Sequence, residues 1–116
     1  MIVFGAKGNA AAALMPEAIY EAILVAVRQF SNVYGQRVGL VFKITSGPHR
    51  DTELMEAAAL KASPRGKLAE LLRGMGGGDG SLATAQKLIG QRCRISVRHE
   101  ADRAGRRYAA IAQTFR

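Results

Sequence analysis

The sequence predicts an all-β fold with one or two short helices, and three alternating stretches carry that prediction. Residues 92–98 alternate strictly between apolar and polar side chains, which is typical of a strand with one buried face. Residues 107–115 alternate again after a polar, Gly-containing connector, so the two runs predict a hairpin. Residues 38–45 form a third alternating run, with a fully apolar face.

The first part of the chain is harder to assign. Residues 1–15 predict a loosely ordered arm, and residues 16–116 are expected to form a single domain. Apolar residues within 16–30 recur at helical spacing, and Pro16 suits the first position of a helix. The β-branched and aromatic content of the same segment favours a strand. The pattern alone favours a helix, although both interpretations stay open.

Turns and helix signals divide the rest of the chain. Residues 31–36 and 46–51 have the composition of turns, and residues 52–59 suit either a strand or a helix. Ser63-Pro64 predicts a helix start, and an apolar stripe continues that helix to Met75.

The segment after this helix completes the order of elements. The glycines of 74–80 end the first helix, and Ser81 predicts the cap of a second short helix that closes at Gly90. Five short strands with a helix between the third and the fourth form the layout of an OB-fold, a five-stranded Greek-key barrel.

Composition points to an anionic partner. The chain of 116 residues has 17 Lys and Arg against 9 Asp and Glu, a formal net charge of +8 and a pI near 10.4. One cysteine and no signal-peptide pattern predict a reducing, cytoplasmic location. The sequence has no apolar run near the roughly 18 residues that span a bilayer, so we expect no membrane association.

The positive charge is concentrated at the C-terminal end. Residues 91–116 hold seven arginines against two acidic residues and so carry +5 of the formal +8. A basic strand face can follow the phosphates of a nucleic acid, although it can also be an edge kept soluble by charge. The candidate phosphate-binding residues are Lys43, Arg92, Arg94, Arg98, Arg106 and Arg107.

Aromatic side chains that could stack on bases are few, since the chain has no Trp. Tyr34 is the best candidate because its position in a turn predicts exposure, and Tyr20 and Tyr108 are candidates on strands. Phe42 and Phe115 are assigned to the core.

The sequence shows no catalytic or metal-binding pattern. The segment GMGGGDGS at 74–81 lacks the Lys-Ser/Thr ending of a phosphate-binding Walker A loop and predicts a flexible linker. Cys93, His49 and His99 fit no zinc spacing, even with Asp51 included. We therefore predict neither an enzyme nor a cofactor.

Five segments resemble a known family: PEAIYEAILVAV, GQRVGLVFKITSG, SPRGKLAELLRGMGG, AQKLIGQRCRISVRHE and GRRYAAIAQ. Together they resemble small phage- and plasmid-borne proteins of replication and recombination loci, of the single-stranded DNA-binding OB-fold type. The order of the segments carries the resemblance, which covers residues 16–116. The matching positions are Pro16, Tyr20 and Ala22, then Ser63, Leu68 and Leu72, then Leu88, Gly90, Cys93, Ile95, Val97 and His99.

The resemblance implies that residues 16–27 form the first strand. It also implies sequence-tolerant binding of single-stranded DNA, with RNA as a variant, in a replication or recombination accessory protein. Expected partners are therefore single-stranded nucleic acid and proteins of replication or recombination, and a homo-oligomer is allowed. The alternative is an OB-like protein-interaction module that does not itself bind nucleic acid.

Overall fold

A computed structural model of the protein describes residues 14–60, 66–77 and 80–116. Within these residues, five strands and two short helices make up the regular structure. In chain order they are β1 (Ala18–Asn32), β2 (Gly35–Ile44), β3 (Glu53–Ala59), α1 (Lys67–Gly74), α2 (Leu82–Lys87), β4 (Arg92–Ala101) and β5 (Arg107–Phe115).

All five strands belong to one antiparallel sheet in the order β3-β2-β1-β4-β5. The long central strand β1 pairs with β4 through residues 18–23 and with β2 through residues 22–32. The register between β1 and β2 shifts between Leu24 and Ala26, so Val25 is an extra residue in β1. Such a bulge bends the strand and increases its twist. The prediction of a mostly β protein with one or two short helices is confirmed, and two helices lie in the described residues. The sheet is open, with β3 and β5 at its ends.

The ambiguous first segment is a strand. Leu24 is fully buried and Val27 packs against the core. Arg28, the next residue after Val27, is exposed. The β-branched and aromatic residues of 16–30 therefore indicated the right structure, and the helical spacing did not. Residues 53–59 of the second ambiguous segment are also a strand.

The core lies between one face of the sheet and the helices. Phe42, Leu24 and Leu72 are all 0% exposed, which confirms the assignment of Phe42. Met15, which precedes β1, is also in the core. Residues 1–13 of the expected arm lie outside the described residues. The other large core side chains are Leu40, Ile44, Leu68, Met75, Ile95, Ile111, Val38 and Val97.

The helix ends are capped differently. The hydroxyl of Ser81 accepts a hydrogen bond from the backbone N–H of Thr84 at 3.1 Å, as the cap prediction for α2 requires. Gly66 is the N-cap of α1 and makes no side-chain cap bond. The predicted start at Ser63-Pro64 lies outside the described residues. Neither described helix has the length and apolar content needed to cross a membrane.

A second bulge changes which side chains β5 buries. The register with β4 passes from Ile111 to Gln113, so Ala112 is the extra residue. Ile111 and Thr114 both face the core, with exposed fractions of 1% and 6%. Phe115 consequently lies on the opposite face, opposite Arg94, and its assignment to the core was wrong.

Candidate nucleic-acid interface

The sheet has a second face that points away from the core, and we call it the outer face. At its centre, Lys43 of β2 and Arg92 of β4 are both register partners of Ile23 on β1. The three side chains therefore form one row across three adjacent strands, with a half-buried isoleucine between two cations. We call this set the central row. Lys43 also lies 3.6 Å from the carboxylate of Asp51.

Two further predicted arginines continue this face along β4. Arg94 and Arg98 are exposed and alternate with buried residues, so they point the same way as Arg92. Arg94 and Arg98 are about 13 Å apart by the rise of a strand. The guanidinium of Arg94 donates to the backbone oxygen of Arg116 at 3.4 Å, and Glu21 lies opposite Arg94 on β1.

The remaining predicted arginines lie at the β4–β5 turn. Asp102 holds this turn by accepting hydrogen bonds from the backbone N–H groups of Ala104 and Arg106, each at 2.9 Å. The other oxygen of Asp102 lies 3.5 Å from the Arg106 guanidinium. Arg107 starts β5 and alternates with Tyr108, so it points away from the outer face. Arg106 and Arg107 therefore lie at the β4–β5 turn, beyond the central row, and Arg107 is not on the outer face.

The two predicted tyrosines are in different surroundings. Tyr108 is on the outer face opposite Glu100, and its hydroxyl donates to that carboxylate at 3.4 Å. Burial, followed by the negative charge of Glu100, raises the pKa of Tyr108. Tyr34 lies in the β1–β2 turn and is 69% exposed. That turn is nine residues along β1 from Ile23, about 30 Å by strand rise, so Tyr34 lies far from the central row.

Sequence reasoning missed three side chains of the outer face at the end near this turn. Arg28 pairs with Gly39, and Phe30 pairs with Arg37, on the β1–β2 ladder. Their alternation with Val27 and Val38, which face the core, places them on the outer face. The signal was present as alternation within 16–32, but it becomes visible only when that segment is read as a strand and paired with β2.

Between the central row and the cations Arg28 and Arg37, the outer face has an apolar surface, which we call the apolar floor. Val41 of β2 pairs with Ala26 of β1 and with Met55 of β3. Met55 is 39% exposed, and its sulfur would lie 2.5 Å from a Cβ at Gly39, so the thioether covers that glycine. The outer face thus carries cations at both ends of a shallow apolar floor.

Acidic groups also lie near this face. Besides Glu21, Glu53 is the register partner of Lys43 on β3. Glu17 accepts a hydrogen bond from the backbone N–H of His99 at 2.8 Å. That hydrogen bond, followed by the positive charges of His99 and Arg98, lowers the pKa of Glu17.

The residues considered as metal ligands serve other contacts. The ring of His49 packs edge-on to Tyr20 with centroids 5.9 Å apart, and His99 Nε2 lies 2.7 Å from the backbone oxygen of Met15. Cys93 is buried, which raises the pKa of its thiol to about 11. Within residues 14–60, 66–77 and 80–116, no three potential ligands from His, Cys, Asp and Glu cluster closely enough to hold a metal ion. Two residues of the glycine segment, 78 and 79, lie outside the described residues.

Comparisons with known proteins give no family. No protein-family model matches the chain, and no curated protein matches it at a significant level.

Proposed function

We propose that the outer face binds single-stranded DNA without reading its sequence, and that RNA binds to the same surface. The observation that carries this proposal is the row Lys43–Ile23–Arg92, which Arg94 and Arg98 extend along β4. Cations spaced along a strand can track successive phosphates, and an apolar floor beside them suits the faces of bases. Arginine fits this role because its planar guanidinium binds phosphate and also stacks on bases.

The strand order supports an OB-like barrel as the frame of this surface. If a sheet with the order β3-β2-β1-β4-β5 curls into a ring, β3 and β5 become neighbours. Glu56 of β3 already reaches β5, since its carboxylate accepts a hydrogen bond from the Ile111 backbone N–H at 2.9 Å. The bulge at Val25 gives β1 the bend that such a closure needs. We propose that this arrangement is a partly open barrel whose outer surface takes the ligand.

The distribution of charge favours a single strand as the ligand. Cations on the outer face lie beside isoleucine, valine and glycine positions, so bases as well as phosphates find a partner there. A duplex would offer only its phosphates, because its bases are stacked and paired inside. A role in replication or recombination is part of the proposal and rests on the resemblance of the sequence segments.

A titration at several salt concentrations tests the proposal. Labelled oligo-dT, its RNA counterpart and duplex DNA are titrated with the protein, and fluorescence anisotropy is measured. Neutralising about four phosphates gives a log–log salt slope of roughly −3 for a single strand, at about −0.7 per contact. An affinity that does not depend on salt, or tighter binding to the duplex than to oligo-dT, would contradict the proposal. The absence of binding to all three ligands would favour the protein-interaction module instead.

A further inference from the structure

The outer face holds an aromatic–guanidinium pair near the β1–β2 turn. Phe30 and Arg37 are direct register partners on neighbouring strands, so their Cβ atoms are about 5 Å apart. Phe30 is 36% exposed, although a large apolar side chain gains by burial. The Nε of Arg37 is buried and has no hydrogen-bond partner among the described residues. The Phe30 ring is thus accessible on the outer face, and a partly exposed arginine lies beside it.

The outer face next to this pair is covered by a flexible side chain that a flat ligand can displace. One step along the outer face, Gly39 has no side chain, and its partner on β3 is the small residue Ala57. Gly39 is buried, and the three atoms nearest to a Cβ there all belong to the Met55 side chain. A methionine side chain is flexible and makes favourable contacts with aromatic rings. It can therefore move aside or pack against a ring that enters.

We infer that Phe30 and Arg37 form a binding site for one unpaired nucleobase of the bound strand. The base stacks on the Phe30 ring, and the Arg37 guanidinium donates hydrogen bonds to the edge of that base or to the adjoining phosphate. The inference rests on the proposed function, since it adds a site for a base to a surface otherwise described by its cations.

This site gives the single-strand preference a physical cause. Every base has a face that can stack, so stacking on Phe30 tolerates any sequence. A paired base in a duplex cannot present its face in this way without first leaving the stack. The pair Phe30–Arg37 therefore selects for unpaired bases, whereas the cations of the central row and of β4 attract any phosphate backbone.

A tryptophan at position 30 reports directly on the site. The chain has no Trp, so Phe30→Trp introduces a single indole that can still stack on a base. We expect the emission of this indole to be quenched as oligo-dT is added, with the same midpoint as the anisotropy titration. Unchanged emission during saturable binding would overturn the site.

Removing the ring separates stacking from charge. Phe30→Ala should weaken oligo-dT binding by roughly 5- to 150-fold, the loss of one stacked base. The salt slope should stay as in the unmodified protein, because phenylalanine neutralises no phosphate. An oligonucleotide with abasic sites throughout should bind both proteins equally. Val33→Ala is the matched control, since Val33 is a 91% exposed apolar residue of the adjacent turn and should leave the affinity unchanged.

The guanidinium is tested with a variant that keeps its charge. Arg37→Lys should lower the affinity for oligo-dT and leave the salt slope unchanged, because lysine lacks the planar fork. Equal affinity of the unmodified, Phe30→Ala and Arg37→Lys proteins would overturn the base site and leave the basic surface standing. Failure of the unmodified protein to bind any oligonucleotide would overturn the proposed function and this site with it.

Discussion

The carboxylate of Glu56 joins the two end strands of the sheet, because it accepts a hydrogen bond from the backbone N–H of Ile111 at 2.9 Å. Glu56 is on the core-facing side of β3, and its side chain is only 12% exposed. Lys67 of α1 pairs with the same carboxylate. One acidic side chain thus connects β3, β5 and the first helix at the place where backbone pairing between β3 and β5 is missing.

We expect this connection to matter for stability. Glu56→Ala should lower the free energy of unfolding by about 1–3 kcal/mol, because the Ile111 N–H loses its acceptor in a partly buried place. Glu56→Gln keeps an oxygen acceptor and loses only the pairing with Lys67, so it should cost about 0–1 kcal/mol. Urea denaturation followed by circular dichroism measures both changes. Glu53→Ala, an exposed residue of the same strand, serves as the control; equal stability of the Ala variants at 53 and 56 would contradict the connection.

A close contact between α1 and β5 leaves no room for a side chain at Gly74. A Cβ at Gly74 would overlap both the hydroxyl and the backbone oxygen of Thr114. Thr114 cannot easily yield, since its hydroxyl donates to the Leu71 backbone oxygen. Gly74→Ala should therefore cost about 1–3 kcal/mol, as overpacked cores do.

A second glycine provides the comparison. A Cβ at Gly39 would meet only the side chain of Met55, which can turn away on the outer face. Gly39→Ala should therefore change the free energy of unfolding by less than about 1 kcal/mol. A Gly39→Ala variant that is less stable than Gly74→Ala, measured by thermal denaturation, would contradict this assignment of the two contacts.

The strands could be predicted from sequence where one face is buried. The bounds of β5 and the start of β4 agree with the alternating runs, because the core imposes a period of two on them. The alternation failed at Ala112, where the bulge moves Thr114 to the core face and Phe115 to the outer face. A bulge depends on how two strands pair, and one strand's residues do not reveal it.

The candidate surface was predictable only in part. Arg92, Arg94 and Arg98 are visible as a row in the sequence because they alternate within one strand. Phe30 and Arg37 are separated by the β1–β2 turn, and they become neighbours only through the register. The helical spacing of residues 16–30 hid this relationship, since tertiary pairing outweighed the local pattern.

The thiol of Cys93 should be unreactive in the folded protein. Burial raises its pKa from the ordinary 9.0 to about 11, so the thiolate fraction at pH 8 falls about a hundredfold. We expect slow labelling by a thiol reagent at pH 8 and fast labelling in urea. Labelling at the same rate in both conditions would contradict the burial of this side chain.

The raised pKa of Cys93 also predicts how the free energy of unfolding changes at high pH. The unfolded chain releases the Cys93 proton above about pH 9, whereas the folded protein holds it up to about pH 11. Stability from this thiol is thus fully present below pH 9 and is lost as pH rises to 11. Cys93→Val removes the titration, so its stability relative to the unmodified protein should increase over that interval. A constant difference from pH 8 to pH 11, measured by urea denaturation, would argue against the shift.

The role of the outer face in binding nucleic acid is tested by reversing two of its charges. Arg94 and Arg98 lie on the same side of β4, and neither side chain is in the core. Arg94→Glu combined with Arg98→Glu should reverse the local field and abolish binding to oligo-dT, because phosphates would then meet carboxylates. The fold should persist, since exposed substitutions usually change the free energy of unfolding by less than about 0.5 kcal/mol. Anisotropy measures the binding, and circular dichroism verifies the fold.

The control for this variant must carry the same net charge. Arg50 and Lys87 are exposed, in the β2–β3 turn and on α2 respectively, so Arg50→Glu with Lys87→Glu lowers the net charge equally but leaves the outer face intact. It should retain binding with only a modest loss from the weaker overall field. If both double variants lose binding to the same extent, the net charge and not the outer face attracts the ligand. If the Arg94/Arg98 variant binds like the unmodified protein, single-stranded nucleic acid does not use β4, and a protein partner becomes the better explanation of this surface.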